Sequence, residues 1–359
     1  MDARSYLKDY SSRADKYLSQ FFTKKINEVK NIGRGGKGVL IAVDMLSRYK
    51  KFVRGGKKLR GAQIQLGYQI AGGNKRDVLE ASTSIEIIHS FLLMHDDIMD
   101  LDAVRRGFPT IHRQYEDEHR KYKLGKDTLH YGTSMGIGMG DLGAYLGMEV
   151  LLASNLDSDK KLTAAKYLSR LLQRVSYGQG LDVTYEQMKN ISEHDVMQVH
   201  LHKTSIYTVV GPLRIGALLG GLSDDKINAI EKFGEPVGIA FQLRDDELGL
   251  FSDEETLGKP IGSDIKEGKN TLLRIKAIER AKKEDKKFLK FAYGNRDITK
   301  KDIRKVQELT INTGVLQYSQ ELSKKLVEKG KKYAPKITND RKLQTTLVSL
   351  ADFVIERTK

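Results

Sequence analysis

Apolar residues recur at helical spacing along almost the whole chain, and little in the sequence interrupts them. Residues 2–30 place Tyr6, Leu7, Tyr10, Tyr17, Leu18, Phe21 and Phe22 on such a pattern. GRGGKG breaks it, 37–49 resumes it, and a further apolar run covers 61–72 after RGGKKLRG. The clearest helix spans 77–100, with Ile85, Ile88 and Leu92 on one face and Asp77 placed as its N-cap. Further helical stretches read as 131–154, 159–190, 193–221, 224–250, 270–292, 299–328 and 339–357. Convincing strand alternation is absent, and the prolines number five. The Gly-rich stretches GIGMGDLGAYLG and GALLGG follow no strand, so they read as close helix packing and not as phosphate loops. The expectation is one all-α domain over 1–359, a helical bundle around a deep central cavity.

Composition removes several alternatives. No Ser/Pro- or Gly/Ser-rich tract divides the 359 residues. Zero cysteines exclude disulfides and thiolate metal sites. The start MDARSYLKDY is charged throughout, unlike a secretory signal, and no window approaches the length of a spanning helix. A cytoplasmic protein is expected. The net charge of +15 reads first as a Lys-rich solvated surface, much of it in the last 90 residues, and second as attraction for polyanions or acidic lipid headgroups. Peripheral contact with a membrane is therefore left open. Nucleic acid is disfavoured, since zinc spacing, RNP-like strands and aromatic–basic interleaving are all missing.

Two aspartate-rich segments carry the chemistry: HDDIMDLD ending at Asp102 and RDDELG ending at Gly249. On a helix, Asp96 and Asp100 project from one face, with His89 within about 20° of Asp96 and Asp100 about 40° to the other side. A lone pair of this kind is more often a solvated face. Here the polar stripe begins only at His89, and Arg105-Arg106-Gly107 follows at once in a flexible turn. The second segment groups Gln242, Asp245 and Asp246, followed by Lys259, Asp264 and Lys269 in a Gly/Pro-bearing loop. Lys57 and Arg60 precede a helix, where a phosphate can also meet helix N-terminal amides. Gln179 and Asp182 share a helix face, as do Lys203 and Tyr207, with Thr204 beside them. Dense carboxylates among cations suit Mg²⁺ carrying a diphosphate. With no nucleophile motif and no Walker lysine, ionisation of a C–O bond in an apolar pocket fits these residues, and Thr204, Gln242 and the Lys203 carbonyl are suitable dipoles for a carbocation.

GGKKLRG, IIHSFLLMHDDIMDLDAVRRGFPTIH, GQGLD, HKTS and FQLRDDELGLFSDEETLGKPIGSDIKEGKNTLL resemble, in order over roughly 30–275, the motifs of the trans-isoprenyl (polyprenyl) diphosphate synthases, most of all the archaeal geranylgeranyl type. The resemblance implies an isoprenoid-synthase-like fold, normally homodimeric, with C-terminal helices over 276–359. It implies three Mg²⁺ ions, held by Asp96, Asp100 and Asp245 with Asp97 and Asp246 in support. Arg105, Lys203, Gln242, Lys259 and Lys269 would hold an allylic diphosphate of five, ten or fifteen carbons, and Lys57, Arg60, His89 and Arg106 would hold isopentenyl diphosphate. Asp96, Asp100, Arg105, Lys203, Thr204, Gln242 and Asp245 form the implied catalytic set.

Departures and alternatives accompany that resemblance. Gly61 stands where the family has proline, a change that can loosen the basic loop. Gly249 stands where a third aspartate often sits, and the last 85 residues carry no placeable motif. Ile88, Phe91 and Leu92 occupy the positions that floor the product pocket in such enzymes. Phe91 resembles the aromatic stop of C20 synthases, yet it lies about 140° from Asp96, whereas Leu92 lies within about 40°. A C20 product is expected, with C15 as the alternative. A terpene cyclase is disfavoured by the isopentenyl diphosphate residues, and a non-catalytic subunit of a heteromeric synthase by the intact aspartates and arginines.

Overall fold

The computed structural model describes residues 2–32, 35–252 and 262–357. They form two compact units, one built from Arg4–Ala165 and Gly216–Gly221, the other from 2–3, Lys166–Ile215 and 222–357. Both are helical. Among the described residues the only strands are a two-residue pair, and no helix is long and apolar enough to cross a membrane.

The first unit contains nearly all of α1 (Ala3–Ile32), then α2 (Lys37–Phe52), α3 (Leu59–Ile70), α4 (Leu79–Met99), α5 (Ile111–Lys121) and α6 (Thr128–Ala153). Its core gathers Leu18, Phe22, Tyr49, Ile87, Met94, Tyr115 and Met139 among others. Asp127 caps α6 through the amides of Leu129 and His130. The glycines of α6 let α4 and Tyr49 of α2 come close, as their spacing suggested. A Cβ on Gly140 would lie 2.1 Å from the His95 ring, on Gly143 1.8 Å from the Tyr49 hydroxyl, and on Gly147 2.5 Å from Ile88. GALLGG behaves alike: a Cβ on Gly216 would meet the Ile64 carbonyl at 1.9 Å.

Three features of the first unit differ from the sequence reading. Asp77 is not a cap. Asn74 accepts the Arg76 amide and turns the chain there, so α4 starts at Leu79 with Val78 at the cap position. Helix α5 escaped notice because its buried side includes His112, Glu116 and His119 beside Ile111 and Tyr115, which thins the apolar signal. Arg105-Arg106-Gly107 lies not in a loose turn but in a tight hairpin, β1 (Val104–Arg105) pairing with β2 (Phe108–Pro109). Arg106 and Gly107 both take positive φ, 53° and 77°, as the type I′ two-residue turn requires.

The second unit contains most of α7 (Ser158–Glu186), α8 (Glu193–Val199), a π-helical segment His200–Val210, and α9 (Gly211–Gly220) up to Ile215. It continues with α10 (Asp224–Phe251), α11 (Ser263–Glu267), α12 (Leu272–Arg280), α13 (Lys283–Ala292), α14 (Lys300–Asn312), α15 (Val315–Lys331), α16 (Ala334–Ile337) and α17 (Arg341–Glu356). The stretches read as single helices over 270–292 and 299–328 are each two. Gly314, at φ 68°, is the break in the second. Two capping boxes, Ser192 with Asp195 and Thr299 with Asp302, start α8 and α14. Leu250, Ile265, Leu273, Leu289, Val306 and Val315 belong to one core here, and Val196, Leu243 and Leu272 to a smaller one.

Arg357, just past the C-terminal end of α17, ties the chain to α10. The buried Arg357 guanidinium stacks 3.8 Å from the centre of the Phe241 ring, donates to the Phe241 carbonyl at 3.0 Å and pairs with Asp245 at 2.5 Å. Its own carbonyl accepts from Arg244 Nε and Nη2 at 3.1 and 3.0 Å. Asp245 is partly in water, so the ion pair adds little and the stacking and carbonyl bond add most. Arg357→Ala is expected to destabilise the protein by about 2 kcal/mol in thermal unfolding. An unchanged midpoint would show that this anchor contributes nothing.

Candidate active site

In the first unit, α4 ends by delivering its carboxylates in different directions. Asp100 is the C-cap, Leu101 takes the left-handed conformation at φ 58°, and the amides of Leu101 and Asp102 return to the carbonyls of Ile98 and Asp97. This is the Schellman arrangement, here with a leucine in a conformation that favours glycine. It folds Asp102 back towards the hairpin. Asp97 is fully buried and accepts from Arg105 Nε at 2.5 Å, while Arg105 Nη2 lies 3.8 Å from Asp96 and 3.6 Å from Asp102. Burial pushes the Asp97 carboxyl up to about 7, against the Arg105 charge that favours its ionised form. Burial opposes the charge on Arg105 as well, but Asp97, Asp96 and Asp102 together raise its pKa. Asp96 and Asp100 are half-buried and share the exposed edge of the same turn.

The neighbouring cations come from the α2–α3 loop and the hairpin. A Cβ on Gly56, itself at φ 74°, would meet the Arg106 guanidinium at 3.3 Å, so Arg106 lies along the loop that carries Lys57. Burial and the charge of Arg105 lower the Arg106 pKa. His89, three turns before the end of α4, is held well below the usual histidine range by burial and then by Arg60, Arg106 and Arg105. Its ring is therefore neutral at pH 7, able to donate one hydrogen bond without adding charge. The loop is organised by Lys58, which the sequence reading passed over. This buried lysine sits at φ 48° as the N-cap residue of α3, and its ammonium turns back to the carbonyls of Val53 and Gly55 and to Asp15.

Of the three residues expected to line the product pocket, Ile88 is fully buried against Gly147. Phe91 meets His95 edge-on at 5.7 Å, on the side of α4 that faces α6. Leu92 is half-buried and four residues before Asp96, hence on the Asp96 face.

In the second unit, the π-helical segment carries Lys203 and Thr204. Such wide turns recur at functional sites. Glycines make room for this one: a Cβ on Gly178 of α7 would meet the Lys203 amide at 2.3 Å, and on Gly238 of α10 the Ser205 hydroxyl at 2.4 Å. Lys203 donates to Asp182 at 2.6 Å, and Lys269 lies 3.6 Å from Asp182 and 2.7 Å from Glu186. Asp182 and Glu186 thus gather two lysines at the end of α7. A chain of contacts runs from the Thr204 hydroxyl to Gln242 Oε1 at 2.7 Å, from Gln242 Nε2 to Asp246 at 2.8 Å, and from Asp246 to His200 Nε2 at 3.2 Å. His200 was missed, although its place four residues before Thr204 put it on that face. Asp245 stands beside Arg357, and Lys259 lies outside the described residues.

Gly249 has a physical reason. A Cβ there would lie 2.5 Å from Asp264 Oδ2, so the glycine leaves room for a carboxylate that arrives from 15 residues further along. Among the described residues no three His, Asp or Glu side chains come together as a self-sufficient metal site. A hard cation at either segment would take carboxylate oxygens from the protein and its other ligands from a bound anion or water.

Comparisons with known proteins place the chain in a family. Residues 44–310 match the family model described as polyprenyl synthetase. The geranylgeranyl diphosphate synthase of Sulfolobus acidocaldarius is 31% identical over 350 residues, spanning 96% of this chain and 99% of that one. The synthase of the same name from Methanosarcina mazei is 33% identical over 303 residues, 84% of this chain and 86% of that one. The crystal structure of geranylgeranyl pyrophosphate synthase from Corynebacterium glutamicum, complexed with isoprenyl diphosphate and magnesium, is similar with a TM-score of 0.90 at 31% identity, over 99% of this chain and 100% of that one. The chain belongs to the polyprenyl synthetase family.

Proposed function

We propose that this chain is a Mg²⁺-dependent trans-prenyltransferase that condenses isopentenyl diphosphate with an allylic diphosphate, giving geranylgeranyl diphosphate, and that 1–359 act as one functional domain. The observation that carries the reading is the pairing of Arg105 with the first acidic segment and of Lys203 and Lys269 with Asp182 and Glu186, in a chain alike over nearly its full length to synthases of that product. The oxygen-only donor set of Asp96, Asp100 and Asp245 fits Mg²⁺, and three ions is the number proposed, with Asp97 and Asp246 orienting their neighbours. When bound, the metal neutralises the diphosphate and makes it a better leaving group.

The chain's own residues divide the remaining work. Arg105, Lys203, Gln242, Lys259 and Lys269 hold the allylic diphosphate, whose C–O bond breaks with its electron pair going to the diphosphate. Thr204 and Gln242 present neutral dipoles to the cation left behind. Lys57, Arg60, neutral His89 and Arg106 hold isopentenyl diphosphate, whose double bond attacks the allylic C1. The proton then leaves C2 for the departing diphosphate. The contacts of Asp97 with Arg105 and of Asp182 with Lys203 and Lys269 support the reading, because they fix these cations before any anion arrives.

Product length is proposed as C20, with C15 as the alternative. The side-chain directions favour Leu92 over Phe91 as the floor below Asp96. A homodimer is proposed as well, supported by Ile137, Tyr145 and Leu152, which lie within about 80° of each other on α6 and are exposed, Tyr145 at 77%.

Four measurements test these statements. Purified protein with Mg²⁺, isopentenyl diphosphate and C5, C10 or C15 primers should form C20 product, and no condensation with any primer defeats the proposal. Asp96→Asn and Asp245→Asn should each lose on the order of 10²-fold or more in turnover. Near-normal rates in either would remove it from the metal site. Leu92→Ala should lengthen the product while Phe91→Ala changes it less, and the reverse order would return the floor to Phe91. Sedimentation equilibrium should give twice the chain mass, and Tyr145→Arg with Leu152→Arg should halve it. A monomeric wild type would remove the dimer.

A further inference from the structure

Helix α3 begins directly behind the loop that carries Lys57, and Arg60 is its second residue. The first amides of a helix have no partner within it. At Gly61 that amide is used: it donates to Glu86 Oε1 at 2.7 Å, with both residues buried. Glu86 sits on α4 three residues before His89, and a carboxylate at a helix N-terminus also meets the positive end of the helix dipole. The other side of Gly61 is filled by Tyr10 from α1. A Cβ there would lie 2.1 Å from the Tyr10 hydroxyl and 2.9 Å from the Ser82 carbonyl, and that hydroxyl is 2.9 Å from Ser82 Oγ. Proline at this place would have no amide proton for Glu86, and its ring would run into Tyr10. The departure at Gly61 therefore does not loosen the loop. It allows a charged hydrogen bond and a tight contact that proline forbids.

We propose that Glu86, through the Gly61 amide and with Tyr10 closing the other side, is a positioning residue that sets Lys57 and Arg60 against His89 and Arg106 for isopentenyl diphosphate. The assignment rests on the reading of that diphosphate site given above. Glu86 touches no substrate. It locks the start of α3 to α4, the helix that also carries His89, so the cations of the loop and the histidine keep one geometry. Its negative charge also opposes the mutual repulsion among Arg60, Arg105 and Arg106, and it favours the charged form of Arg106.

The test uses the full chain with Mg²⁺ and separates the two substrates. Glu86→Leu should raise the KM for isopentenyl diphosphate about ten-fold, the scale of one buried charged hydrogen bond. The KM for the allylic diphosphate and kcat should move less than about three-fold. Calorimetric titration with isopentenyl diphosphate in the absence of metal should show the same loss of affinity. Glu86→Gln keeps an acceptor for the Gly61 amide and should recover most of it. Should Glu86→Leu fail to fold, Gly61→Ala keeps the amide but drives a methyl at Tyr10, and the same selective rise in KM is expected. Unchanged isopentenyl diphosphate KM and affinity in whichever variant folds, or equal rises for both substrates, would overturn the positioning role. A wild-type chain that binds no isopentenyl diphosphate would overturn the site itself.

Discussion

The close approach of α4 to α6 is the constraint on which the first aspartate segment depends. A helix can present His89, Asp96 and Asp100 along one edge only if its remaining faces are firmly held. Glycines at 136, 140, 143 and 147 let Ile98, His95, Tyr49 and Ile88 press into α6 where any Cβ would collide. Close packing of this kind leaves α4 little freedom to rotate, since turning it would drive Ile88, His95 and Ile98 into the α6 backbone. Asp97 points inward as a result, and its buried charge is tolerable because Arg105 reaches it from the hairpin. The positive φ values of Leu101 and Arg106 are held by the bonds that close the end of α4 and by the β1–β2 pairing.

The second unit meets the same problem differently. Its cations are held by acids, Lys203 by Asp182 and Lys269 by Glu186, and its inner aspartate is held by neutral or titratable groups. Asp246 receives an amide from Gln242 and the ring of His200, whereas Asp97 receives a permanent guanidinium. The two acidic segments resemble each other as sequence, yet the arginine beside the first pairs with its inner aspartate, Arg105 with Asp97, whereas Arg244 of the second pairs with Glu247. At the second, Arg357 comes in from 112 positions further along the chain to pair with Asp245.

Local periodicity made much of this legible. The aspartate helices and the glycine packing follow from spacings of three or four residues. What stayed hidden depends on partners far apart or on groups that periodicity does not weigh. Arg357 lies 112 positions from Asp245, and nothing near either residue announces the other. Lys58 looked like one of two equivalent lysines, and only the backbone turn at φ 48° separates its buried role from that of Lys57. Helix α5 buries a glutamate between two arginines, Arg113 and Arg120, so its inner face reads as solvent-facing. The π-helical segment carries no marker of its own, because its glycines belong to the helices on either side.

Two of the departures from the family pattern are glycines, and they share one physical logic. At 249 the missing side chain leaves space that the Asp264 carboxylate fills. At 61 it leaves space for the Tyr10 hydroxyl and exposes an amide to Glu86. A glycine in place of a functional or rigid residue reads in sequence as a loss. In each case here a side chain from elsewhere occupies the vacated volume, so the polar group is relocated and the backbone is held from outside. Backbone freedom at a glycine is a liability only where nothing packs against it. A contact shorter than any Cβ would permit removes that freedom as surely as a proline ring does.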